Sequence, residues 1–132
     1  MNPFDNDNFA KHLGLEIVEV KDGIARAKMP VRQEILNGAG IVHGGAIYSL
    51  AVWALALAAN DSSKDDAISV GVGSSINYIS NVSSGCLYAA AKPVNVGRTL
   101  STYHSTVTDD NGNVIAVLQG SAYHKYKKNK SS

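Results

Sequence analysis

Six residues able to hold a reacting carbonyl stand within nine positions: Asn37, Gly38, Gly40, His43, Gly44 and Gly45. They lead directly into the apolar run AIYSLAVWALALAA, Ala46 to Ala59. If that run is a helix, its first turn leaves backbone N–H groups without intrahelical partners, and glycine there lets a ligand approach the backbone. The Gly44 and Gly45 amides, at the positive end of the helix dipole, are then candidates to polarise a carbonyl oxygen as negative charge develops on it. Asn37 offers a side-chain donor or a hold on water, and His43 either fixes the turn or titrates near neutrality. Turn chemistry alone is the competing reading of the glycines, and a structural hydrogen bond that of His43. No Ser or Cys sits in a nucleophile elbow, and the GxGxxG and GxxxxGK[ST] loops are absent. His12, His43, His104 and His124 show no ligand spacing, so neither a metal nor another cofactor is expected.

The elements that must position this turn follow from periodicity. Asn8 to Leu13 is a short helix candidate with Gly14 as its stop. LEIVEV and IARAKMPV alternate around Asp22-Gly23, which predicts a β-hairpin. The helix is expected from Gly44 to Asn60, and a helix apolar on nearly every face must be wrapped by other elements. Four strand segments follow: Ile68 to Ile79, Cys86 to Pro93, Arg98 to Thr108 and Val114 to Lys125. The links Ser83-Ser84-Gly85, Asn95-Val96-Gly97 and Asp109-Asp110-Asn111-Gly112 are short, which favours antiparallel neighbours. Gly71-Val72-Gly73, inside a strand pattern, suggests a bulge or a close backbone approach. The expectation is a single α+β domain over residues 1–132, an antiparallel sheet curling round one helix, with residues 1–13 an N-terminal segment and 126–132 a polar, solvated tail. The sheet's outer face and edges still need cover, which predicts a homo-oligomer.

Composition narrows the partners. A net charge of +1 and a charged fraction of 17% give no reason to expect nucleic acid or an anionic membrane. The lone cysteine, Cys86, reads as a small apolar strand residue in a reducing compartment. The first residues, MNPFDNDNFAKHLG, have neither the basic nor the apolar region of a secretory signal. The run from Gly44 to Ala59 falls short of the ~20 residues that a membrane span needs. A cytoplasmic protein is expected.

The motif Asn37-x-x-Gly40-x-x-His43-Gly44-Gly45 at the mouth of a long apolar helix resembles that of hotdog-fold acyl-CoA thioesterases of the phenylacetate-degradation (PaaI-like) branch. Asn77-Tyr78-Ile79, Val96-Gly97-Arg98-Thr99 and Asp110-Asn111-Gly112 resemble that family's later strands and hairpin. The resemblance implies a dimer, or a dimer of dimers, with sites at the subunit interface. It implies that the glycine amide after the histidine polarises a thioester carbonyl, that the asparagine orients the substrate, and that a helix carboxylate nine positions after the histidine activates water or attacks directly. Coenzyme A then enters only as part of the substrate.

In this chain the carboxylate position holds Val52. Ala51, Trp53 and Ala54 cannot accept a proton, and Asp61 lies roughly 13 Å further along the helix. Gly44 and Val52 are themselves about 12 Å apart on the helical rise, so a site using both ends needs two subunits. The family's polar position on the next strand falls near Gly71, leaving Ser74, Ser75 and Asn77 as replacements. Three readings follow: an acyl-CoA thioesterase whose base comes from His43, from Glu34 of a partner's loop or from a water on Asn37; a catalytically silent module binding acyl-CoA or an acyl carrier, with Val52 extending the acyl pocket; and a hotdog dehydratase or isomerase. Gly45, Tyr48, Val52 and Gly71 are the expected substrate-binding residues. Arg98 and Thr99 are candidates for a coenzyme A phosphate contact, the alternative for Arg98 being an exposed strand-start arginine.

Overall fold

In the computed structural model, which describes residues 2–61 and 67–126, six strands form one antiparallel sheet in the order β1-β2-β4-β5-β6-β3. They are β1 (Glu16–Lys21), β2 (Ile24–Pro30), β3 (Ala67–Tyr78), β4 (Cys86–Val96), β5 (Leu100–Thr108) and β6 (Val114–Tyr126). The helices are α1 (Asn8–Leu13) and α2 (Gly44–Ala59), with short 3-10 turns at Pro3–Asn6 and Gln33–Ile35. The expected hairpin is β1-β2, with Asp22 and Gly23 both at positive φ, the geometry of its two-residue turn. The expected tail beyond Tyr126 and most of the DSSKDD loop lie outside the described residues.

Helix α2 has no charged side chain and buries ten of its residues, among them Ile47, Leu50, Trp53, Leu55 and Leu57. The sheet meets it with small inward residues, Ala25, Ala27, Ala89, Ala91, Ala116 and Ala122, all buried. Small side chains let backbone and helix approach closely. At Gly120 an added Cβ would stand 2.8 Å from Leu55 Cδ1 and 3.0 Å from the Ser74 Cβ. The opposite side of α2 is crossed by the N-terminal segment, tied by Trp53 Nε1 to the Phe4 carbonyl (3.0 Å) and by Asn2 Nδ2 to the Leu57 carbonyl (2.8 Å).

Two expectations are corrected. The Ser83-Ser84-Gly85 link does not join neighbours: β3 pairs with β6 at the sheet edge, and β4 lies three places away between β2 and β5. The segment 79–85 can extend over roughly 23 Å, more than the ~14 Å across three inter-strand steps, and it crosses the sheet end with Ile79, Val82 and Gly85 each in a backbone hydrogen bond. Second, β4 runs on to Val96, so Arg98 and Thr99 occupy the turn before β5 rather than its first positions. A register shift at Pro93/Asn95 makes room for the longer strand.

The C-terminal end of α2 is fastened by polar groups. Asn60 N–H and Nδ2 both donate to Ala56, and the same amide clamps Ser69 through Nδ2 to its carbonyl and Oδ1 from its N–H, both at 2.8 Å. Ser69 Oγ then meets His124 Nδ1, and Ser101 Oγ meets His124 Nε2 at 2.6 Å. Asp61 Oδ2 accepts the Gly23 N–H at 2.6 Å, so this carboxylate anchors the β1-β2 turn. Removing the clamp strands two buried backbone groups, each costing ~1–3 kcal/mol; Asn60→Ala should therefore destabilise the fold by about 2–4 kcal/mol in urea unfolding. Gly120→Ala should cost about 1–3 kcal/mol by overpacking, read as a lower unfolding midpoint with an unchanged urea slope.

Candidate functional site

The loop before α2 is built by Asn37. Its Oδ1 accepts the N–H groups of Ala39 (2.9 Å) and Ile41 (3.3 Å), and its backbone N–H and carbonyl pair with Ile41 and Gly40. A bridge between Leu36 and Val42 closes the loop and delivers His43 to the helix start. The asparagine oxygen is thus spent on the loop, while its Nδ2 has no partner among the described residues.

His43 is the N-cap of α2, and its Nδ1 accepts the Gly45 N–H at 2.8 Å. That bond requires an unprotonated Nδ1, which puts the ring proton of the neutral imidazole on Nε2. The amides of Ala46 and Ile47 both bond the His43 carbonyl, at 3.0 and 3.2 Å. Of the four N–H groups a helix start leaves over, only that of Gly44 lacks a partner among the described residues. The Gly45 amide, expected to share in carbonyl binding, is already engaged by His43. Tyr78 of β3 leans over this end, its hydroxyl donating to the Gly44 carbonyl at 2.8 Å.

Further along α2, three of the expected binding residues come together. Tyr48, Val52 and Gly71 line a groove of about 280 Å³ between α2 and β3, with Leu55 and Ser74 among its other walls. The bulge between Gly71 and Gly73 inserts one residue, so that Gly71 and Ser74 both face the helix. Tyr48 Oη and Ser74 Oγ hydrogen-bond at 2.6 Å across the groove. Ser75 and Asn77, expected as alternatives to Ser74, pair in register with Gln119 and Val117 and face the other side of the sheet.

A second cavity, of about 250 Å³, lies on the other side of Tyr48 and Val52, beneath the N-terminal segment. Its walls include Phe4, Asp7, Phe9, Ser49 and Trp53. Sequence reasoning left Asp7 and the two phenylalanines out, although an aspartate just before a short amphipathic helix is a capping signal.

Arg98 and Thr99 line neither cavity. Both are exposed on the β4-β5 turn, which is pinned by Ser101 Oγ on the Gly97 N–H (3.1 Å), by the Tyr126 hydroxyl on the Arg98 carbonyl (2.7 Å) and by the His124 N–H on the Thr99 carbonyl (2.7 Å). The Arg98 guanidinium stacks 4.8 Å from the Tyr126 ring centre. Glu34 is exposed and stands 3.9 Å from Arg32. One strongly shifted group lies elsewhere: a hydrogen bond to Asp110 pushes the exposed Tyr88 phenol up to about 12. Among the described residues no helix is long and apolar enough to cross a membrane, and no cluster of three metal-ligating side chains forms.

This arrangement has relatives. The family described as the thioesterase superfamily matches residues 39–116. A protein of Archaeoglobus fulgidus named "Putative esterase" is 37% identical over 121 residues, covering 91% of this chain and 77% of its own. The solved PaaI protein of the E. coli phenylacetic acid degradation operon superposes with a TM-score of 0.85 at 27% identity, over 92% of this chain and 87% of that one. A structure from Mycobacterium tuberculosis, described as "a putative esterase", gives a TM-score of 0.87 at 30% identity over 92% and 98% of the two chains. The chain belongs to the thioesterase superfamily and has its hotdog fold.

Proposed function

We propose that this protein hydrolyses acyl-CoA thioesters at a site shared by two copies of the chain. The observation that carries the reading is the unpartnered Gly44 N–H at the start of α2, the donor that a developing thioester oxyanion requires. Hydrolase-named relatives in the same superfamily support it. The Tyr48–Val52–Gly71 groove and the cavity beneath the N-terminal segment, which share Tyr48 and Val52, supply wall for the acyl group, and Arg98, exposed beside Gly97, supplies positive charge for a coenzyme A phosphate.

The two-copy requirement is geometric. Gly44 and Val52 stand about 12 Å apart on one helix, so a carbonyl held at Gly44 is out of reach of a water activated beside Val52 of the same chain. Edge strand β3 offers twelve residues for pairing and exposes Ile68, Val70 and Val72, the last at 59%. Unpaired edges of this length favour addition of another strand. The arrangement we propose pairs β3 with its copy and sets Gly44 of one protomer facing the groove of the other.

A second reading, a silent thioester-binding module, is favoured by one observation: α2 carries no acidic side chain. The two separate on hydrolysis of an acyl-CoA panel. Turnover identifies the hydrolase, micromolar binding without turnover identifies the module, and absence of both overturns the thioester site.

The donor itself can be removed cleanly. His43 has φ −60° and ψ 133°, the extended backbone that a following proline needs, and proline is well accommodated at the first helical position. Gly44→Pro should lower kcat by ~10²–10³, whereas Gly44→Ala, which adds a Cβ beside Tyr78 but keeps the N–H, should stay within about tenfold of the natural enzyme; equal losses would show that crowding, not the N–H, matters. Sedimentation should find a dimer or a larger assembly at micromolar concentration, and a stable monomer there would rule out the shared site.

A further inference from the structure

Thioester hydrolysis needs a group to take a proton from water, and the walls around Val52 narrow the choice. Two cavities flank that residue, and between them they carry one carboxylate, Asp7. Four other acids are committed elsewhere. Asp61 holds the Gly23 N–H, Glu34 faces Arg32 at the surface, and Asp109 and Asp110 organise the hairpin at the far end of β5 and β6.

We propose that Asp7 is the general base of the hydrolysis, reaching from the N-terminal segment into the cavity that a carboxylate on α2 would otherwise serve. This rests on the hydrolase reading above. Asp7 is held from both sides: Phe4 is bound by the Trp53 indole before it, and Ala10 is packed into the core after it. Its carboxylate caps α1 with one oxygen, Oδ1, accepting the Ala10 N–H at 3.0 Å. Oδ2 has no partner among the described residues and remains to accept a proton. Ser49 lines the same cavity and donates its hydroxyl hydrogen to the Gly45 carbonyl at 2.8 Å, which leaves its oxygen lone pairs for a water. Phe4, Phe9, Val52 and Trp53 make the rest of the wall largely apolar.

The step balances without a co-reactant. A water held near Asp7 adds its oxygen to the thioester carbon while its proton passes to Oδ2, and the carbonyl oxygen takes the electron pair and is held by the Gly44 N–H of the other protomer. Collapse of that intermediate breaks the carbon–sulfur bond, and the proton on Asp7 goes to the departing sulfur, giving a carboxylic acid and free coenzyme A.

Asp7→Asn tests this, because asparagine caps a helix as well as aspartate does but cannot take the proton. The full-length variant should keep its thermal midpoint and its KM for an acyl-CoA within a few-fold, while kcat falls by ~10²–10⁴. Adding Val52→Asp to Asp7→Asn should recover at least tenfold of that loss, by restoring a carboxylate to the same cavity. Turnover by Asp7→Asn at the natural rate overturns the role of Asp7 and leaves the hydrolase reading intact. A fall in kcat accompanied by a matching loss of thermal stability also overturns it, since the residue would then be structural. Absence of hydrolysis by the natural protein on every acyl-CoA overturns both readings together.

Discussion

A sixteen-residue helix without a single charged side chain must bury most of its surface, and the rest of the fold answers that constraint. Leu50 and Leu57 are fully buried, each worth about 1.5–3 kcal/mol relative to exposure. The sheet covers them with Met29, Leu87, Val107 and Leu118 set among alanines and Gly120, and the small residues let the sheet approach the helix closely. The remaining side of α2 is covered by the N-terminal segment, and the cover is incomplete along Tyr48, Val52 and Ala56. Both cavities open along that stripe, so they are what the packing of an apolar helix leaves unfilled.

The two ends of the helix are treated differently. At the C-terminal end, Asn60, Ser69, His124 and Ser101 satisfy one another in a buried network that continues to the Gly97 amide. Such a network is worth most when complete, since a buried polar group without a partner costs more than its bond gains. At the N-terminal end His43 takes one amide and its carbonyl takes two more. The amide of Gly44 is left, which makes a fixed donor that needs no reorganisation when charge develops in front of it. His43 therefore contributes by fixing the helix start, and its engaged Nδ1 is not a base without the cap being broken.

The separation of Gly44 from Val52 along one helix is the reason a two-copy site is proposed. The long β3 edge bears valines and an isoleucine rather than the lysines that guard solitary edges, which suits that proposal. Superfamily membership and the paired-site reading are in this way consistent with one physical fact, the length of α2.

Local sequence determined the elements. The Asp22-Gly23 turn, the capped run from Gly44 and the alternation in β5 and β6 each follow from a short-range rule, as does the likeness of the Asn37 to Gly45 motif to a thioester-binding turn. The bulge at Gly71-Val72-Gly73 was legible for the same reason. Position across the chain was not. The length of a link does not say which strand it reaches, so the placement of β3 beyond β6 came only from tertiary packing, as did the sidedness of Ser74 against Ser75 and Asn77. Nor does a motif say which of two adjacent amides is free; that depends on where the His43 ring turns. Asp7 lies 45 positions from Val52, and no spacing rule connects them. The sequence by itself determined a glycine-rich, histidine-capped turn before an apolar helix that carries no acid, and only the folded chain, by laying its first residues across that helix, brought the Asp7 carboxylate into the cavity beside Val52.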